Sequence, residues 1–169
     1  MELSIKNFIK HIVITLLIIT VSGCISSKLP VSAMEKAELN DQIKSEVLDA
    51  FHGLVAAAES FDAERYFEFF DKDKFSGLNT DGSVWHSFDS FAGLIAAGFP
   101  MMEKSISLEF SNVKVTVINA STAILVNEYL HSIKLKGGAV IEQSGGGTQV
   151  WFKANEKWQL VSVSASESS

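Results

Sequence analysis

The sequence predicts an α+β fold, in which three helices pack on the concave side of a strongly curved antiparallel sheet. Residues 34–97 carry apolar side chains at helical spacing, whereas the pattern after Ser105 is typical of strands. The run 122–136 would extend roughly 50 Å as a flat strand, although a domain of this size has a radius of gyration of about 15 Å. The sheet must therefore curl, and the three glycines at 145–147 stand where a kink is expected. A sheet bent in this way encloses a conical space.

The first helix is predicted from Met34 to about Ser60. Its apolar residues recur at intervals of four, four, three, four and three, and charged residues occupy the other faces. The stripe consists of Ile43, Val47, Phe51, Leu54, Ala58 and Phe61. A break at Ser60 and Phe61, followed by Asp62 as an N-cap, predicts the start of a second helix that is rich in aromatic residues.

A third helix is predicted from about Ser87 or Asp89 to Ala97. We expect Asp89 to cap its start, and Gly98 and Pro100 end it. Between the second and third helices, residues 75–85 form an irregular segment whose Asp81-Gly82 pair is a turn suited to joining two small strands.

Four strands follow the helices, and the short connections between them predict antiparallel pairing. The expected strands cover residues 105–119, 122–136, 139–143 continued by 148–154, and 158–165. The glycine triplet interrupts the third of these strands.

The amino terminus has the pattern of an export signal. Lys6, Lys10 and His11 form a basic start, residues 12–21 are apolar apart from two threonines, and Val-Ser-Gly precedes Cys24, the only cysteine. Ten residues span about 15 Å as a helix, which is too short for a hydrocarbon core of about 30 Å. A transmembrane anchor is therefore disfavoured, while an ordinary export signal with a spectator cysteine remains the alternative. Cysteine at the position just after a small-residue cleavage site resembles the lipobox of bacterial lipoproteins.

That resemblance implies a lipid-anchored protein of the cell envelope. Cys24 would carry a diacylglyceryl group, cleavage would remove 1–23, and the acyl chains would hold the protein on a membrane. Ile25, in the position where Asp often marks inner-membrane retention, favours the outer membrane facing the periplasm if the source has two membranes. We expect 24–34 to be a tether, 35–166 a single domain, and 167–169 a tail.

The charge of the mature chain excludes two classes of partner. Removing 1–23 leaves 146 residues and takes away Glu2, Lys6 and Lys10, so the net charge changes from −6 to −7. An acidic domain without a basic cluster argues against nucleic acid and against electrostatic docking on anionic lipid. The remaining three histidines show no metal-ligand spacing, and the glycine triplet is not followed by Lys and a helix. We therefore expect neither a metal site nor a cofactor.

The order of three helices and four antiparallel strands resembles the nuclear transport factor 2-like cone fold, with the closest similarity to its SnoaL-like and ketosteroid-isomerase-like branches. The segment 150–161, VWFKANEKWQLV, is similar to the last hairpin of that family, and the resemblance covers roughly 35–166. Members often carry histidine after the tryptophan of the last strand, whereas this chain has Ser162 and Ser164. The family also self-associates frequently through its exposed sheet face, which implies a homodimer.

Two functions follow from this pattern. The first is a binding or accessory module that holds a small apolar ligand or a protein partner. The second is a small isomerase, cyclase or dehydratase in which Glu128 acts as general base and Tyr66 or His131 donates a hydrogen bond. Strand alternation places Glu128 and His131 on opposite faces, so the two cannot form a simple pair. The residues expected to line the cone are Tyr66, Phe70, Trp85, Phe99, Glu128, Gln149 and Trp151.

Overall fold

The computed structural model describes residues 32–168, and Cys24 with the predicted signal lies outside this range. Three helices come first, broken by a small hairpin, and four long strands follow. The helices are α1 (Ala33–Glu59), α2 (Ala63–Phe67) and α3 (Phe88–Gly98), with a 3₁₀ turn at Phe99–Met101. The strands are β1 (Ser76–Leu78), β2 (Val84–Trp85), β3 (Met102–Asn119), β4 (Thr122–Leu135), β5 (Val140–Ala154) and β6 (Lys157–Glu167). The predicted α+β cone fold is confirmed.

Helix α1 begins with a capping box. The hydroxyl oxygen of Ser32 accepts a hydrogen bond from the Glu35 amide at 3.2 Å, and the Glu35 carboxylate accepts one from the Ser32 amide at 2.8 Å. The helix buries one stripe, whose members are Ile43, Val47, Phe51, Leu54 and Ala57. The buried stripe therefore contains Ala57 instead of the predicted Ala58, and it does not extend to Phe61. Phe61, at φ +53°, then breaks the helix as expected.

Helix α2 is only five residues long, although Asp62 caps it as predicted by accepting from the Arg65 amide at 3.1 Å. Its aromatic continuation forms a turn that carries Phe70 against β6. Helix α3 starts one residue after Ser87, which is its N-cap, so the expectation that Asp89 caps it is wrong. Ser90 supplies the reciprocal contact by accepting a hydrogen bond from the Ser87 amide at 3.4 Å.

The six strands form one sheet in the order β2-β1-β6-β5-β4-β3. The four long strands pair antiparallel with their sequence neighbours, as predicted. Strand β5 runs through the glycine triplet without interruption. Strand β1 pairs parallel with β6, and this contact brings the β1–β2 hairpin beside the last strand. Register shifts along β3 and one between Val150 and Trp151 provide the bulges that bend the sheet.

Candidate ligand-binding interior

The concave face of the sheet is fully packed at one end. A row of residues paired across three strands, Ala123, Trp151 and Leu160, has at most 1% of its side-chain surface exposed. We call these three residues the packed row. The Phe70 ring lies against this row, with its centroid 5.0 Å from Phe91 and 5.1 Å from Phe75. Aromatic side chains from the helices and the small hairpin therefore fill this end of the cone.

A second row on the same face spans all six strands. In order from the hairpin to the far edge, it consists of Trp85, Gly77, Val163, Gln149, Leu125 and Val115. A Cβ on Gly77 would lie 2.5 Å from the Val163 carbonyl oxygen and 3.2 Å from the Trp85 ring, so the glycine lets the β6 backbone and the Trp85 side chain approach. The Gln149 side chain is 8% exposed, and its Oε1 accepts a hydrogen bond from the Trp151 indole at 3.0 Å.

The third row contains small side chains and one amide. Asn127 pairs with Gly147, and Gly147 pairs with Ala165. We call these three residues the open row, because Gly147 and Ala165 remain partly exposed although they lie on the concave face. Asn127 is 7% exposed, and its Oδ1 atom is enclosed without a hydrogen-bond partner. A buried acceptor without a donor destabilises a protein by about 1–3 kcal/mol.

An aromatic wall faces this interior from the helical side. The Tyr66 ring lies 5.1 Å from Phe70, 5.5 Å from Phe99 and 6.2 Å from Phe91 between centroids. Phe91 in turn lies 5.0 Å from Trp85 in an edge-on arrangement. Tyr66 and Trp85 keep part of their surface exposed, whereas Phe70 and Phe99 are buried. These packing geometries are typical of stable aromatic clusters.

Burial opposes the ionisation of three groups on this side of the sheet. Burial raises the pKa of the Tyr66 hydroxyl. Burial also lowers the pKa of His131, and the charge of Glu59 only partly opposes this effect. Burial, with a smaller contribution from Glu167, raises the pKa of Tyr129. The enclosed part of the concave face therefore presents amides, hydroxyls and a neutral imidazole.

Glu128 lies on the opposite face of the sheet. Its side chain is exposed, and its carboxylate accepts hydrogen bonds from the Asn112 amide at 2.8 Å and the Ser111 hydroxyl at 3.3 Å. The predicted separation of Glu128 from His131 is confirmed, because His131 is half-buried on the concave face. The sequence predicted that Glu128 lines the cone with Tyr66. The structure instead places Glu128 on the outer face.

Two shallow depressions share Gly146, and the smaller of them is also bordered by the open row. One, of about 550 Å³, is bordered by Glu109, Phe110, Ser111, Glu128, Tyr129, Leu130, Ser144, Gly145, Gly146 and Ser168. The other, of about 270 Å³, is bordered by Asn127, Gly146, Gly147, Thr148, Ser164, Ala165 and Ser166. A Cβ on Gly146 would point outward and lie 3.7 Å from the Asn127 carbonyl oxygen and from the Ser166 hydroxyl. The absence of a side chain at this position joins the two depressions.

The structure brings six of the seven predicted lining residues to the helical side of the sheet. Phe70, Phe99, Gln149 and Trp151 are buried there, and Tyr66 and Trp85 are partly exposed. Sequence reasoning missed Asn127, which occupies the concave face next to Glu128. The alternation of side chains along β4 could have identified it, because Asn127 lies on the face that also carries Leu125 and Tyr129.

Neither a metal centre nor a membrane span is evident in the part of the chain that the structure describes. Within residues 32–168, no three histidine, aspartate or glutamate side chains form a group that could hold a metal ion. No helix in this range combines the length and the apolar character that a membrane crossing needs.

The model of the SnoaL-like domain family matches residues 47–168, which is well over half of the chain. The chain belongs to this family. No curated protein matches its sequence, whereas many solved structures share its fold.

Three solved structures illustrate the likeness. A candidate dehydratase of the nuclear transport factor 2-like family from Streptomyces avermitilis has a TM-score of 0.67 at 18% identity, over 76% of this chain and 98% of that one. A candidate scytalone dehydratase from Novosphingobium aromaticivorans has a TM-score of 0.72 at 9% identity, over 79% and 89%. The association domain of C. elegans CaMKII has a TM-score of 0.61 at 18% identity, over 80% and 99%. At these identities the likeness establishes the fold alone.

Proposed function

We propose that this protein is an exported, lipid-anchored SnoaL-like module that binds a neutral small molecule inside its cone. The observation that carries the proposal is the chemistry of the concave face. Among residues 32–168, the buried polar side chains are Asn127, Gln149 and Asp71. Asp71 is occupied in a turn, where it accepts a hydrogen bond from the Lys74 ammonium at 2.7 Å. The remaining two are neutral amides, which suit recognition of an uncharged ligand.

The enzyme alternative loses its proposed base. Isomerases and dehydratases that work by proton abstraction need a basic group within hydrogen-bond reach of the substrate. The Glu128 carboxylate lies on the outer face and is solvated. His131 keeps this alternative open, because it is neutral and half-buried, with Nε2 3.5 Å from the Ser105 hydroxyl. The two dehydratase-like structures favour the same alternative only through their fold.

Native mass spectrometry of the full protein extracted from its own membrane tests the binding function. We expect a small molecule that stays bound under gentle ionisation and leaves on mild activation, with its mass unchanged. Release of that molecule in a chemically altered form, such as one that has lost water, would establish the enzyme instead. A protein that carries nothing, and that binds none of the probes described below, would refute the binding function.

The lipid anchor rests on the sequence around Cys24. An exported chain with a single cysteine leaves an unpaired thiol, and acylation removes this liability. We expect the intact mass of the mature protein to start at Cys24 and to include two or three acyl chains. The C24A variant should be unacylated and should leave the membrane fraction, whereas S26A, two residues away, should stay acylated. A bare sulfur in the mature native protein would contradict the anchor.

We also propose that the outer sheet face joins two copies of the chain. Val126 and Leu130 are 38% and 49% exposed there, beside the depressions that meet at Gly146. Apolar side chains of this kind, collected on one face, are typical of an interaction surface. V126E should give a folded monomer in light scattering, while L94E, at an exposed position of α3 on the helical side of the sheet, should leave the dimer intact. A native protein that is monomeric at micromolar concentration would contradict this proposal.

A further inference from the structure

We infer that Asn127 is the specificity determinant of the interior, and that it selects a ligand with an apolar body and a single hydroxyl or N–H donor. This inference rests on the proposed binding function and names the chemistry of the ligand. It starts from the one buried side-chain oxygen or nitrogen atom in residues 32–168 that has no hydrogen-bond partner, the Oδ1 atom of Asn127.

The unpaired state of this atom has no structural explanation in the fold. Gln149, the neighbouring buried amide, gives its Oε1 to the Trp151 indole and thereby satisfies a core donor. Asn127 Oδ1, in contrast, accepts no hydrogen bond within residues 32–168. Buried polar groups are almost always paired. An enclosed acceptor without a protein partner is therefore suited to a donor supplied by a ligand.

The strands beside Asn127 present little side-chain bulk to its amide. A Cβ on Gly147 would lie 3.3 Å from Oδ1 and 3.5 Å from Nδ2, so the glycine keeps the space in front of the amide free. Ala165, on the next strand, contributes only a methyl group, and both residues are partly exposed. A rotation about the side-chain torsions of Asn127, towards Gly147 and Ala165, would bring Oδ1 to an entering ligand.

The charge of the interior restricts that ligand further. Tyr66 and Tyr129 are protonated and His131 is neutral at pH 7, because burial shifts each pKa away from the charged form. Two carboxylates, Glu59 and Glu167, act on His131 and Tyr129 and would repel an anionic ligand. An amide oxygen accepts from O–H and N–H groups alike. Leu125 and Phe110, which flank Asn127 on the same face, favour an apolar body.

Two isomeric indoles test the inference. 3-Methylindole retains the ring N–H, and 1-methylindole lacks it at the same size and composition. Since one hydrogen bond contributes about 1 kcal/mol, the full native protein should bind 3-methylindole about fivefold more tightly, as measured by calorimetry or ligand-observed NMR. The pair 4-ethylphenol and 4-methylanisole, also isomers, should show the same preference for the hydroxyl compound.

Two variants test whether Asn127 causes the preference for the isomer that carries a hydrogen-bond donor. N127L should bind both isomers with equal affinity, and its melting temperature should be unchanged or raised, because an unpaired buried acceptor has been removed. Q149L should melt at a lower temperature, since the Trp151 indole loses its acceptor, and it should keep the preference. The melting temperature and the ligand preference together therefore distinguish Asn127, the proposed ligand-binding residue, from Gln149, a structural residue.

Each outcome is decisive. Equal binding of the two isomers by the native protein, or a preference that persists in N127L, overturns the role of Asn127 and leaves the binding function standing. Failure of all four probes to bind overturns the inference, and it overturns the binding function as well only if native mass spectrometry also finds no bound molecule. If N127L does not fold, Asn127 is structural, and the isomer comparison on the native protein still decides whether a donor is selected.

Discussion

The two ends of the concave face differ in what fills them, although the same strands build both. At the packed row, Trp151 and Leu160 are enclosed by aromatic rings and expose at most 1% of their surface. At the open row, four positions further along β4, the side chains are an amide, a hydrogen atom and a methyl group. We therefore assign stability chiefly to the packed row and binding to the open row, although helix α1 also packs beside the open row, where the Phe51 ring lies 5.0 Å from that of Phe110.

The same contrast explains why the open row tolerates an unpaired acceptor. A protein with a well-filled core at one end can retain a locally unfavourable group at the other, where it contributes to function rather than to stability. Substitutions that respect this division should change one property and leave the other.

Truncation at the packed row should have the largest effect on stability. W151A removes a fully buried ring and leaves a cavity, so we expect the free energy of unfolding to fall by about 3–5 kcal/mol in urea titrations. L94A, on α3, removes a side chain that is 50% exposed and should cost less than about 1 kcal/mol. Equal losses would show that the packed row is not the centre of stability.

Two glycines of β5 should differ in their effects on stability and on binding. A Cβ on Gly145 would overlap the Ser166 carbonyl, whereas a Cβ on Gly147 would only touch the Asn127 amide. G145A should therefore destabilise the protein by about 1–3 kcal/mol, and G147A by less than about 1 kcal/mol. G147A should nevertheless weaken binding of 3-methylindole, because its methyl group occupies the approach to Asn127. A stable G147A that binds normally would place the ligand elsewhere.

An ion pair at the base of α1 holds the helix to the β5–β6 hairpin. The Glu46 carboxylate accepts from the Trp158 indole at 2.8 Å and from the Lys153 ammonium at 2.9 Å. E46Q should reduce stability by about 1 kcal/mol, since charge-assisted hydrogen bonds become neutral ones. E156Q is the matched control, because Glu156 reaches the same lysine at 3.5 Å with 94% of its side chain exposed. We expect no measurable change in the unfolding midpoint of E156Q.

The hydrogen bonds of Glu46 should also make the stability of the protein depend on pH. The hydrogen bonds from Trp158, Lys153 and Gln42 lower the pKa of Glu46 to about 2 from a usual value of 4.5. A depressed folded-state pKa contributes stability that is present above pH 4.5 and is lost as the pH falls towards 2. Native protein should therefore lose more stability than E46Q between these pH values in urea titrations. Parallel curves for the two proteins would remove Glu46 as a source of acid sensitivity.

Much of this fold was predictable because its local signals agree with one another. The helical stripe, the break at Phe61 and the four antiparallel strands follow from spacing and turn chemistry alone. The parallel pairing of β1 with β6 is different, since it joins Gly77 to Val163 across most of the domain and no local pattern encodes it. The cap at Ser87 was missed because Asp89 is an equally suitable residue two positions later.

The site was harder to predict, because the face of β4 with the more apolar side chains is not the one that lines the cone. Ile124, Val126 and Leu130 share a face with Glu128, and this face is the more apolar one in sequence, yet it is the outer one. The concave face carries Ala123, Leu125 and Asn127 instead. Small side chains make room for helices and for a ligand, whereas the apolar outer face suits a second copy of the chain. A sequence read for its largest apolar residues therefore favours Glu128 over Asn127.

The most direct test of the division between the two rows is an amide-resolved NMR titration of the full protein with 3-methylindole. We predict chemical-shift changes in the side-chain amide of Asn127 and in the backbone amides of Gly147 and Ala165, with little change at Leu160. Changes confined to Glu128, Gly146 and Thr148, or no change at all, would contradict a ligand site inside the cone.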